Sequence, residues 1–184
     1  MYYYCAKINN LSVSNQLIDW YMNHKRSLPW RESNDPYIIW LSEVILQQTR
    51  VKQGLPYFKV FKERFPDVQS LARAPQDEVL KLWEGLGYYS RARNMHQAAQ
   101  QVVDQYNGKF PTDYKNLIQL KGIGDYTASA IASIANNEKV AVVDGNVFRV
   151  LSRIFGISEP INSTEGKKVF KTQAEQLLPD QNTG

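Results

Sequence analysis

The stretch DPYIIWLSEVILQQTRVK, residues 35–52, constrains the fold more than any other part of the chain. Ile38, Ile39, Trp40, Leu41, Val44, Ile45 and Leu46 leave no wide polar face on a helix, and a helix that is apolar nearly all round must be covered by other elements. Asp35 suits its N-cap and Pro36 its first helical position. The rest of the sequence supplies helices for that cover. A first is predicted over residues 12–25, with Leu17, Ile18, Tyr21 and Met22 at helical spacing. After the loop SLPWRESND, helices are predicted over 52–64, 68–72, 76–82, 90–105, 113–120, 125–136, 146–155 and 164–178. Phe65-Pro66, Gly85-Leu86-Gly87, Asn107-Gly108 and Phe110-Pro111 mark turns. With no repeat and no sustained strand alternation, the expected class is all-α.

Glu43 interrupts the apolar helix. A carboxylate there is costly unless paired, and desolvation should raise its pKa. It is either held by an arginine or backbone amides, or poised as a general acid near neutral pH. Gln47, Gln48, Thr49 and Arg50 form a polar tail to the segment; helix-end polarity explains them, and so does contact with bases and phosphates. In LKGIGDYTASAI, residues 120–131, two glycines sit between helical runs. Such a hairpin can bring backbone amides and a helix N-terminus to a phosphate, although a bare G-x-G is common in loops. Asp144 in AVVDGNVFRVL is either the N-cap of the next helix or the second acid of a pair that cleaves glycosidic bonds. Tyr88-Tyr89, after a glycine turn, suits core packing or insertion between bases.

Composition narrows the classes. The 184 residues suit one unit or two small lobes. Net charge +4 and pI ≈ 9.1 are compatible with a polyanion partner without requiring one. Between Arg50 and Arg93 nine basic residues face five acidic ones, as on a solvated helical face or a nucleic-acid surface. No apolar run approaches the ~18 residues of a membrane span, and MYYYCAKINN lacks a secretory layout, so a cytoplasmic location is expected. Cys5 is the only cysteine, and His24 and His96 are few and scattered, so no metal site is expected in the chain.

Taken together, LPWR (28–31), DPYIIWLSEVILQQTRV (35–51), LWEGLGYYSRARNMHQAA (82–99), LKGIGDYTASAI and VVDGNVFRVL resemble the MutY-type A/G-specific adenine DNA glycosylases of the endonuclease III, helix-hairpin-helix superfamily. The resemblance runs from about Ile18 onward. It implies a two-lobed base-excision repair fold, with one lobe over 29–134 and a second from 1–28 plus 135–184. The implied activity is monofunctional hydrolysis of the N-glycosidic bond of adenine opposite 8-oxoguanine or guanine, in flipped-out form. Glu43 matches the acid that protonates adenine at N7, and Asp144 the carboxylate that stabilises the oxocarbenium-like sugar. Tyr126 stands where strand-cleaving relatives have a Schiff-base lysine, and it would shape the pocket with Asn146 in support. Lys121, in the hairpin where many relatives have proline, is not given that lyase role.

The resemblance further implies that Leu28, Trp30, Arg31, Leu46 and Val51 line the adenine pocket. Gln48, Thr49, Leu86 and Tyr88 would meet 8-oxoguanine and its neighbours, with Tyr88 as the inserted wedge, while Gly122 and Gly124 approach phosphate. The expected partner is double-stranded DNA carrying the mispair, bound by a monomer. The family also carries a [4Fe–4S] cluster on four cysteines; these are absent here, and the chain is expected to be truncated before them, leaving the second lobe incomplete. Rival readings are a bifunctional glycosylase/lyase, a non-catalytic helix-hairpin-helix DNA-binding module and an all-α interaction protein.

Overall fold

A computed structural model describes residues 10–179, with side chains from residue 13 onward; Cys5 and the tail after residue 179 lie outside the described residues. The described elements are α1 (Asn10–His24), a 3-10 turn (Pro29–Arg31), α2 (Pro36–Leu46), α3 (Val51–Arg64), α4 (Val68–Arg73), α5 (Gln76–Leu82), α6 (Ser90–Tyr106), α7 (Tyr114–Leu117), α8 (Asp125–Asn136), α9 (Gly145–Phe155) and α10 (Thr164–Gln176). Among the described residues there is no strand. The chain is all-α, as expected.

The apolar segment becomes the central helix. α2 packs against α3, α8 and the 3-10 turn, and Trp40, Leu41 and Ile45 are wholly inaccessible to solvent. The Asp35 carboxylate caps it by accepting the Tyr37 amide at 2.9 Å. Around it, Trp40 tilts against Phe110 at 5.0 Å between ring centroids, and Phe61 meets Trp83 edge-on at 5.7 Å. This core runs from Leu28 to Ala132. A second, smaller cluster joins Ala141, Leu151, Phe170 and Ala174, with Phe148 edge-on to Phe170. The Ser14 hydroxyl donates to the Leu177 carbonyl, bringing α1 beside the end of α10.

Two predicted helices are revised. The run 35–52 is not one helix: α2 stops at Leu46, Gln48 takes φ 54°, and α3 starts at Val51. The cause is Arg91, whose guanidinium takes up the carbonyls of Val44, Ile45 and Gln47 at the end of α2, so that the helix terminates without leaving them unpaired. The polar residues Gln47–Arg50 therefore form a loop between helices, not a helical tail. The predicted helix 113–120 shrinks to the single turn Tyr114–Leu117; the chain then advances by bonds from the Leu120 amide to Leu117 and from the Ile123 amide to Leu120. The other helices match within two residues at each end.

Candidate active site

Glu43 projects from the buried helix α2. Among the described residues no lysine, arginine or amide bonds it, and burial alone pushes its carboxyl from the ordinary 4.5 up to about 7. It is not a structural glutamate held by a cation. Near neutral pH such a carboxyl is divided between acid and carboxylate, the condition a general acid needs.

Tyr126 lies in the first turn of α8, and its phenol is pushed up to about 12, chiefly by burial and then by the negative charges of Glu43 and Asp144. Residues 43, 126 and 144 come from α2, α8 and the start of α9, yet the phenol stands in the fields of both carboxylates. Asp144 is the N-cap of α9: Oδ1 accepts the amides of Asn146 and Val147, each at 2.9 Å, and Oδ2 accepts Asn146 Nδ2 at 3.2 Å. The N-terminal end of a helix favours an anion there. Asn146 Oδ1 accepts in turn from Arg149 at 3.4 Å.

Beside this group opens a cleft of about 510 Å³, lined by Asp125, Tyr126, Val143, Phe148, Lys167, Lys168 and Lys171. Lys171 donates to the Ala141 carbonyl at 2.8 Å and stands 3.8 Å from the Asp125 carboxylate, which also accepts the Tyr114 hydroxyl at 2.7 Å. The lysines were missed from sequence, although their spacing on α10 was a legible basic face.

The hairpin between α7 and α8 is held by the Lys121 amide donating to Gln101 Oε1 at 2.7 Å. Gly122 has φ +75° and leaves no room for a Cβ, which would lie 2.7 Å from that of Asn94. Gly124, extended and capping α8, faces open space, so no packing inside the protein demands a glycine there.

The remaining candidates divide by exposure. Leu28 and Trp30 are buried, with Trp30 edge-on to Phe58 at 5.1 Å, and Leu46 and Val51 pack partly buried against the same core. Arg31 is exposed, over the Tyr21 ring and donating to the Arg26 carbonyl at 3.4 Å. Leu86 is buried, and Gln48 is exposed. Thr49 is half-buried and donates to the Gln47 carbonyl at 3.2 Å. Tyr88 is 67% exposed and sits at φ 47°, an uncommon backbone state for a bulky residue. Arg91, which binds this turn to the end of α2, carried no signal in the hydrophobic pattern.

A [4Fe–4S] cluster requires four cysteine-type ligands. The sequence holds one cysteine, and no group of three or more His, Cys, Asp or Glu among the described residues is placed to hold a metal ion. The residues present do not fit such a cluster, and no chemical step is assigned to one.

Residues 41–179 match the model of the HhH-GPD superfamily, base excision DNA repair proteins. The chain is 43% identical over 172 residues to the adenine DNA glycosylase of Buchnera aphidicola (subspecies Acyrthosiphon pisum), covering 93% of this chain and 49% of that protein. It is 42% identical over 171 residues to the adenine DNA glycosylase of Homo sapiens, covering 88% of this chain and 31% of that one. The chain thus spans about half, or less, of the length of these relatives. Among solved structures, a thermostable thymine-DNA glycosylase superposes with TM-score 0.86 at 27% identity, covering 95% of this chain and 80% of its own.

Proposed function

The chain belongs to the HhH-GPD superfamily of base excision DNA repair proteins, and from that premise we propose that it is the catalytic region of a monofunctional adenine DNA glycosylase. The reading rests on one observation above the others: a desolvated, unpartnered Glu43 and a helix-capping Asp144 both act on a single phenol, Tyr126, beside an open cleft. Its substrate is adenine opposite 8-oxoguanine or guanine in duplex DNA, bound by one copy of the protein.

The chemistry follows from those groups. Adenine leaves the stack and enters a pocket bounded by Leu28, Trp30, Arg31, Leu46 and Val51. Glu43, protonated, donates to N7, and the bond between adenine and the sugar breaks as the base departs. The sugar becomes cationic, and the Asp144 carboxylate stabilises that charge. Water adds to the sugar carbon, and its proton passes to the carboxylate that Glu43 became in the first step, which restores the acid. Tyr126 offers a hydroxyl in place of an amine, so no Schiff base forms and the strand stays intact. The 29–134 lobe would supply Glu43 and the DNA contacts; the second would supply Asp144. Gln48, Thr49, Leu86 and Tyr88 meet the opposite base, while Gly122 and Gly124 let a phosphate approach the N-terminus of α8.

The test is single-turnover excision on a duplex carrying adenine opposite 8-oxoguanine, with an A·T duplex as control, with and without alkali. Strand breaks from the mispair that appear only after alkali support the reading. Breaks without alkali would favour a glycosylase/lyase, and binding without base loss would favour the non-catalytic module.

The exposed Lys167 and Lys168 line the cleft, and this reading assigns them to the DNA backbone. The doubly substituted Lys167→Gln, Lys168→Gln chain should show a slope of log affinity against log salt shallower by roughly 2, since each phosphate contact contributes about 0.9. Fluorescence anisotropy over a salt series measures it, and an unchanged slope removes these lysines from the interface.

A further inference from the structure

The Arg91 guanidinium ties the end of α2 to the turn that carries Tyr88. Its Nη1 donates to the carbonyls of Val44 at 3.1 Å, Ile45 at 3.2 Å and Gln47 at 2.5 Å, all at the end of the helix that carries Glu43. Its Nη2 donates to Leu86 at 3.3 Å and Gly87 at 3.4 Å, in the turn that presents Tyr88. The guanidinium lies over the rings of Trp83, at 5.0 Å, and Tyr88, at 5.7 Å. Trp83 closes the same turn by donating its indole N–H to the Gly87 carbonyl at 2.9 Å. Two non-glycine residues with positive φ directly follow carbonyls that the guanidinium holds: Gln48 follows Gln47, and Tyr88 follows Gly87.

We propose that Arg91 is a positioning residue that couples insertion of Tyr88 into DNA to the placement of the catalytic helix end, so that the wedge and the acid act as one unit. This rests on the glycosylase reading above. The physical reason is geometric. Tyr88 and Gln48 are strained positions that persist only where their surroundings over-determine them, and here one planar fork does so for both. A force on the Tyr88 ring reaches the Gly85–Tyr88 turn, then the guanidinium, then the last carbonyls of α2. A lysine is a point donor on a flexible stem and cannot bridge the two carbonyl sets while lying flat on two rings. It still reaches one set, and the core around Trp40, Phe58 and Phe61 is untouched, so Arg91→Lys is expected to fold.

The experiment compares wild type, Arg91→Lys, Tyr88→Ala and the double variant. Single-turnover excision, duplex affinity and the fluorescence of 2-aminopurine placed next to the target adenine, which brightens on unstacking, are read for each; melting is recorded in parallel. Arg91→Lys should slow excision about 30-fold or more, change duplex affinity less than about 3-fold, and lose most of the 2-aminopurine brightening. Tyr88→Ala should lose little further in the Arg91→Lys background. If Arg91→Lys melts out, Arg91→Gln, which keeps an N–H donor pair without charge, takes its place in the cycle. Wild-type excision and brightening in the lysine chain, or effects of the two substitutions that simply multiply, overturn the coupling. A wild type that neither excises adenine nor brightens the probe overturns the glycosylase reading beneath it.

Discussion

Glu43→Gln is expected to lower the single-turnover excision rate by on the order of 10³-fold and to raise the melting temperature at pH 8. On the proposed reading, the first effect follows from losing the proton that Glu43 would give to adenine N7; an amide cannot supply it. The second follows from burial without a partner. The folded-state pKa is raised from 4.5 to about 7, so folding carries no penalty from this group below 4.5, where both states are neutral. The penalty grows as pH rises from 4.5 to 7 and levels off above 7, at on the order of 3 kcal/mol. Glutamine never ionises and escapes it, so the variant should melt a few degrees higher at pH 8 and show little gain at pH 4. In the wild type the excision rate should fall about tenfold per pH unit above about 7, as the acid form is lost. Stopped-time quench and thermal melts across pH measure both. A Glu43→Gln chain that excises at the wild-type rate removes Glu43 from catalysis; one that melts lower at pH 8 means the carboxylate stabilises the fold.

Asp144→Asn should cost about 10²-fold or more in excision with nearly unchanged stability. The carboxylate now accepts the Asn146 and Val147 amides as the cap of α9. Asparagine caps a helix about as well as aspartate, so the structural role is kept. What disappears is the negative charge that the proposed mechanism sets against the cationic sugar. Alanine removes both, and its extra loss of about 1 kcal/mol in stability isolates the cap from the chemistry. Equal melting temperatures for wild type and asparagine, with the rate lost, assign Asp144 to the reaction. An unchanged rate leaves it a cap alone.

The helix inventory was legible because turn residues are local signals. Asn107 and Asn137 end α6 and α8 in the left-handed conformation, and Gly156 ends α9 in the same way. The asparagine-glycine pair at 107–108 is visible as a break in the string, and the Asp144 cap was readable in the same local way. Two features were not. Residues 35–52 carry no glycine or second proline, and the polar run Gln47–Arg50 reads as a helical tail as readily as a loop; the carbonyls there are taken up by an arginine more than forty residues on. The 113–120 run likewise looked helical, but the hairpin needs the chain to turn under Gly122 with Asn94 against it.

The all-α class, the apolar central helix with one acid in it, and the local motifs that resemble a repair glycosylase are all written in short stretches of the chain. Periodicity, capping and turn chemistry act over a few residues, so they can be read from the string. Packing of the helices set the rest: Glu43 lacks a partner among the described residues, Tyr126 stands in the fields of both acids, and Arg91 joins the turn that carries Tyr88 to the end of α2. Desolvation, Coulomb coupling and a shared guanidinium depend on distances between segments that are remote in sequence, and those distances exist only after the helices have packed.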